Sequence, residues 1–162
     1  MKFIDSENDL WHAIPADTAP PPAPRRVLSW EQWHDLRSTW PADVPVGLLL
    51  DNTLDTEVLG DDLRATPCPI ALVVLQFPKW TDGRAYSQAR LLRSRFGFRG
   101  EIRAIGDVLA DMMPLLQRCG VDAVQLRADQ KLEVAKRALG FFAGHYQGDL
   151  VEPRPLFARH AA

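Results

Sequence analysis

Pro69-Ile70-Ala71-Leu72-Val73-Val74-Leu75 is apolar at every position. A strand with one face in water alternates polar and apolar residues, whereas a strand covered on both faces does not. This run therefore predicts a strand between two layers, the usual position in a parallel sheet. Three further runs read as strands: Val46-Gly47-Leu48-Leu49-Leu50 upstream, and Glu101-Ile102-Arg103-Ala104-Ile105 and Asp122-Ala123-Val124-Gln125-Leu126 downstream. Helical candidates lie near 55–65, 83–96, 107–118 and 129–146. Alternating strands and helices predict parallel β-α units with right-handed crossovers. The expected fold class is α/β: a small parallel sheet of about four strands, either a half-barrel or an open doubly wound sheet. Gly97, Gly100 and Gly120 stand where helices end. Pro114 removes a backbone donor from the third helical stretch and predicts a kink or a broken first turn there.

Working outward to the amino end, Lys2-Phe3-Ile4 and Leu10-Trp11-His12-Ala13-Ile14 flank the polar turn Asp5-Ser6-Glu7-Asn8-Asp9. That pattern predicts a short β-hairpin, an appendage over 1–18. Residues 19–26 carry Ala19-Pro20-Pro21-Pro22-Ala23-Pro24, a stiff polyproline II spacer. A single α/β domain over 27–150 and a tail over 151–162 complete the expected organisation. Ser29 with Gln32 three residues later forms a capping-box pattern, and Pro41 stops the helix. Trp30, Trp33 and Trp40 recur at near-helical spacing. They form either an apolar face packed on the body or a partner surface, for which Trp30 and Trp33 are candidates.

Composition narrows the function classes. The chain has 162 residues, 46% hydrophobic and 25% charged, with Lys+Arg 19 against Asp+Glu 21 and a net charge of -2. A nucleic-acid binder would show a basic domain, so no nucleic-acid partner is expected. No apolar run approaches the roughly 20 residues of a membrane helix, and the start shows no secretory pattern. A cytoplasmic location without membrane attachment is the expectation. Cys68 and Cys119 are too few for a disulfide framework or an all-cysteine iron–sulfur cluster. His12, His34, His145 and His160 lack zinc-like spacing. No glycine-rich phosphate loop or nucleophile elbow follows a strand, so no cofactor can be named.

Ligands of parallel α/β folds sit beyond the carboxyl ends of the strands. Those ends deliver Asp51-Asn52, the loop from Gln76 to Arg84, Gly106-Asp107 and Arg127. Lys79, Asp82, Arg84, Asp107 and Arg127 are therefore the anion- or ligand-binding candidates. Lys79 and Arg84 can meet an oxyanion beside a helix start, and Asp82 can instead cap that helix. Asp51, Asp82 and Asp107 are weak candidates for a hard cation such as Mg²⁺, with the cap role competing at Asp82 and Asp107. No catalytic residue is assigned. The stretch from Lys79 to Arg103 carries seven basic residues against Asp82 and Glu101. Arg90 and Arg93 on this face are further partner-surface candidates.

Phe77-Pro78-Lys79-Trp80-Thr81-Asp82-Gly83-Arg84-Ala85-Tyr86-Ser87-Gln88-Ala89-Arg90-Leu91-Leu92-Arg93 resembles the signature of a bacterial family, domain of unknown function 934. So do Gly100-Glu101-Ile102-Arg103-Ala104-Ile105-Gly106-Asp107-Val108-Leu109 and Arg118-Cys119-Gly120-Val121-Asp122-Ala123. The resemblance covers about residues 45–145. Trp80 departs from a usual Phe, and Met113 and Pro114 depart from polar or non-proline residues. The resemblance implies a probable oxidoreductase or accessory protein of sulfite reduction, a label resting on genes lying beside the sulfite reductase haemoprotein. No catalytic residue comes with it.

Two functional expectations follow. The first is an accessory protein of assimilatory sulfite reduction that binds the haemoprotein or assists electron or substrate delivery. The alternative is a small enzyme with an oxyanion- or metal-binding site at the strand ends. A homodimer that covers exposed sheet edges is compatible with either.

Overall fold

The computed structural model describes residues 1–142 and 144–159, so the end of the expected tail, including His160, lies outside the described residues. Along the chain run β1 (Lys2–Phe3), β2 (His12–Ala13), β3 (Arg26–Ser29), α1 (Trp30–Leu36) and β4 (Val46–Leu50). A 3-10 turn over Thr56–Leu59 then leads into α2 (Gly60–Arg64). Next come β5 (Ile70–Phe77), α3 (Arg84–Ser94) and β6 (Glu101–Gly106). A second 3-10 turn (Ala110–Met112) leads into α4 (Met113–Arg118), followed by β7 (Ala123–Val124), α5 (Leu132–Ala138) and α6 (Leu156–Arg159).

All seven strands lie parallel in one sheet, in the order β1-β7-β6-β5-β4-β3-β2. The four expected strands are β4 to β7. The expectation of about four is corrected by β1, β2 and β3, of which the first two span only two residues each. Runs that short carry no periodicity to read.

The amino-terminal hairpin is also corrected. The polar turn forms, with Asn8 N–H donating to Asp5 O at 3.1 Å. It does not fold the chain back on itself: β1 pairs with β7 and β2 with β3, at opposite ends of the strand order. Residues 1–14 thus belong to the main sheet. The proline run connects β2 to β3 without a helix, and the Gln32 amide pins the chain before it by donating to Pro15 O and Thr18 O at 2.7 and 2.8 Å.

This connectivity requires a curled sheet. Six strand spacings separate β1 from β2 in the order, about 29 Å if flat. Phe3 to His12 is nine residue steps, about 30 Å at full extension, and the turn at Asp5 shortens it. The sheet therefore curls into a half-barrel, with residues 4–11 strapping its concave face.

The two faces are filled differently. On β4, Val46, Leu48 and Leu50 point to the convex side, where they pack with Leu92, Leu116 and Trp33 beneath the helices. The concave side holds a smaller cluster: Val27, Leu72 and Val74, with Trp11, Leu49 and Ile105 against them. Gly47 makes room for Trp11, since a Cβ there would stand 3.2 Å from the indole ring. Arg103, 5% exposed on β6, pairs with Asp9 of the strap and with Glu101. A buried guanidinium needs such partners, because unpaired charge in a low dielectric is strongly unfavourable.

Local signals explain the helices. Ser29 Oγ accepts from Gln32 N–H while Gln32 Oε1 accepts from Ser29 N–H, the capping box anticipated for α1. Gly97 and Gly120 adopt φ of 64° and 86°, which an L side chain disfavours. Pro114 sits in the first turn of α4, where its missing donor has no helical acceptor to lose, and the preceding 3-10 turn is the broken start. Among the described residues, the helix expected across 129–146 is confined to Leu132–Ala138, and Ala143 of that range lies outside them.

Candidate functional site

The carboxyl edge is built from loops tied to one another by side chains. After β4, the buried amide of Asn52 donates to Asp82 Oδ2 at 2.7 Å. Gln88, buried on α3, donates to Asp51 O and Leu54 O, both at 2.9 Å, and fixes the first loop. After β5, Asp82 and Arg84 form a two-point ion pair: Nε donates to Oδ1 at 3.0 Å and Nη2 to Oδ2 at 2.6 Å. Asp82 Oδ1 also accepts from Arg84 N–H, so the carboxylate does satisfy the helix start, although Gly83 occupies the cap position.

After β6, Gly106 takes φ 95°, and a Cβ there would meet Phe77 O at 2.4 Å. That turn aims Asp107 at the neighbouring loop, where it accepts from Trp80 N–H at 2.8 Å and from Arg127 Nη1 at 2.5 Å. Arg127, following β7, spends its other nitrogens on Asp129 at 2.6 and 2.7 Å. Gln130 closes the chain by accepting from Ala110 N–H at 3.0 Å. Asp107 thus ties loops together rather than capping the following helix.

These contacts set the electrostatics. The Arg84 guanidinium holds the Asp82 carboxyl far below the usual carboxylate range. The Trp80 N–H, followed by Arg127, lowers Asp107. Asp129 falls to about 2 through the Arg127 hydrogen bonds. Asp51 is lowered by Thr53, whose hydroxyl and N–H both donate to it. Burial pushes the Tyr86 phenol up to about 12.

The expected residues are therefore brought together in two groups. Asp82 and Arg84 form one, and Asp107 and Arg127 the other, joined through the 78–84 loop. Lys79 is exposed and has no ion pair among the described residues. The carboxylates proposed for a cation serve other contacts, and among the described residues no three Asp, Glu, His or Cys side chains converge on a metal position.

The partner-surface candidates separate in the same way. Arg90 is exposed. Arg93 lies at the amino edge, where it donates to Gly120 O, Phe98 O and Gly100 O and pairs with Asp122. Trp33 is 2% exposed and belongs to the core, while Trp30 is half-buried.

Sequence reasoning put Asn52 and Trp80 at this edge without giving them a role, and missed Asp129 and Gln130. Only Asp129 carried a usable signal, an acid two residues after a lone arginine. Trp80 is 55% exposed beside an open depression of about 450 Å³ lined by Tyr86, Asp111, Met112 and Leu115.

A family model described as a bacterial protein of unknown function, DUF934, matches residues 47–157. The chain belongs to DUF934. The DUF934 match takes in β4 to β7 and the whole carboxyl edge, and it runs past α5 into α6. The strap and the strands β1 to β3 precede it. No curated protein sequence matches this DUF934 chain. Among its described residues no helix is long and apolar enough to cross a membrane.

Proposed function

We propose that this DUF934 protein is an accessory protein of assimilatory sulfite reduction that acts by docking on the sulfite reductase haemoprotein, assisting electron or substrate delivery. The observation that carries the docking part is the state of the carboxyl edge. Arg84 and Arg127 are spent on the protein's own carboxylates, so a free oxyanion would have to displace a two-point ion pair. The concave interior adds to this. Trp11 and the Arg103 pairs occupy it: the space left against Val27, Leu49 and Val74 is about 110 Å³, below the roughly 300 Å³ at which small-molecule sites begin, while the larger depressions of about 490 and 410 Å³ along the strap, beside Glu101 and beside Arg127, are open to solvent. Exposed aromatic groups such as Trp80 suit a protein partner better than an enclosed substrate. The sulfite part rests on the gene-neighbourhood label that comes with the family resemblance.

Co-elution of the two purified proteins from a sizing column tests the reading. A stoichiometric complex is the expected result, and separate elution at micromolar concentrations of both would overturn it. One observation favours the enzyme alternative: Lys79 has no carboxylate partner among the described residues. Under that alternative, sulfite, sulfate or phosphate binds saturably with or without Mg²⁺, and Arg84→Ala weakens it. Calorimetry without heat for all three anions removes it.

A further inference from the structure

We infer that the segment following α5 is the docking face, and that it takes an acidic protein surface bearing an apolar groove. The inference rests on the accessory reading above and names the side of the chain that meets the partner.

The segment combines a hydrogen-bonded stretch over 146–156 with solvated aromatic rings. Phe141, Phe142, Tyr146 and Phe157 are 69%, 65%, 72% and 66% exposed. Tyr146 and Phe157 lie 5.7 Å apart between ring centroids, and Phe142 lies 6.1 Å from His145. Arg159 runs beside Gly144, whose Cβ position is 3.8 Å from the Arg159 Nη1. The turn after α5 and the helix α6 therefore form one patch.

Hydrogen bonds hold the 146–156 part of this patch in place. The Asp149 carboxylate accepts from Arg118 Nε at 3.0 Å and from Val151 and Glu152 N–H at 2.8 and 2.9 Å. Leu156 N–H donates to Tyr146 O at 3.1 Å. A segment ordered in this way while presenting aromatic rings to water has the composition of an interface centre, where aromatics and arginine are enriched. Contiguous apolar exposure of this kind marks an interaction site more than a chance surface.

Charge selects the partner. From 130 to 159 there are five cations, Lys131, Lys136, Arg137, Arg154 and Arg159, against the three acids Glu133, Asp149 and Glu152, in a chain of net charge -2. Each acid already has an ion partner: Lys136, Arg118 and Arg154 respectively. Arg137 and Arg159 have no carboxylate partner among the described residues, and they flank the rings in sequence. Cations left over on the segment that carries an apolar centre complement an acidic rim, which raises association rates and sets specificity.

The test is the affinity of the full chain for the haemoprotein, measured by calorimetry at two salt concentrations. Two double variants are compared with the unaltered chain: Phe142→Ser with Phe157→Ser, and Arg137→Glu with Arg159→Glu. Melting curves matching the unaltered chain establish that both fold, as exposed positions should. The expected result is at least a tenfold loss for each variant. The salt dependence of binding also flattens in the charge variant. If the unaltered chain binds and both variants bind equally well, the docking face lies elsewhere, and the accessory reading stands without this inference. If Arg90→Glu rather than either double variant loses affinity, the inference is equally overturned. Self-association of the chain through this patch, abolished by the same variants, would assign it to a second copy and also overturn the inference. No complex with the unaltered chain overturns both readings together.

Discussion

Position 106 has no room for a side chain. Its φ is 95° and a Cβ would press on Phe77 O at 2.4 Å. The turn that delivers Asp107 to Trp80 and Arg127 therefore depends on glycine. Gly106→Ala should lower stability by roughly 1–3 kcal/mol, read as a shifted denaturation midpoint at unchanged slope. An unchanged midpoint would mean that the turn relaxes without strain. Asp107 itself gives a pH test with a defined sign. The folded forms of Asp82, Asp107 and Asp129 titrate below the unfolded carboxylate value near 3.9. Groups depressed in this way stabilise the fold above about pH 4, and the contribution disappears as pH falls through the folded values. The melting temperature should hold between pH 7 and about 5 and decline below about 4. Asp107→Asn should melt lower than the unaltered chain at pH 7, and the two should converge as the pH falls through the lowered folded value of Asp107. Parallel melting curves at every pH would show that the Trp80 and Arg127 contacts contribute nothing. Most of these residues could be read as belonging to the carboxyl edge, because strand ends are visible in the apolar pattern. Their pairing could not, since Asn52 with Asp82 or Arg127 with Asp107 depends on loop geometry that spacing does not encode.

Among elements, the strap is the least expected and the most consequential. The sequence signal was a polar turn between two apolar runs, and it was accurate locally: Asn8 does close on Asp5. What the pattern lacks is the partner of each run, because two-residue strands are specified by the sheet they join and not by themselves. Trp11 shows how the strap is held. It packs over Gly47 on the concave face, while Asp9 two residues earlier meets Arg103. Trp11→Ala should destabilise the fold by about 2 kcal/mol, less than a fully buried Trp→Ala because the ring is half-exposed. Gly47→Val should be comparably harmful from the opposite side of the same contact. If Trp11→Ala leaves the denaturation midpoint in place, the strap is not part of the core. The capping box of α1 was legible in full, since Ser29 and Gln32 act within one turn. Ser29→Ala should cost about 1 kcal/mol, measured by the same denaturation.

For the whole molecule, two surfaces are distinguished by how their polar groups are used. At the carboxyl edge Arg84 and Arg127 are paired with the chain's own carboxylates and Lys79 alone is left without one among the described residues, and the concave interior is occupied by the chain's own strap. The segment after α5 instead presents aromatic rings with arginines that lack a carboxylate partner among the described residues. Edge strands of two residues give a second copy little backbone ladder to extend, so association through side chains is the route the shape leaves open. The expectation of a parallel β-α body followed from apolar runs and glycine stops, whereas the aromatic patch was hidden because a stretch expected to be helical does not predict which rings stay in water. The measurement bearing most directly on the docking role is sulfide output from the haemoprotein with a chemical reductant, with and without an equimolar amount of this chain. The account predicts higher sulfide output with the chain present, and loss of the increase in Phe142→Ser with Phe157→Ser. Identical output with and without the chain, at concentrations where both are folded, would contradict it.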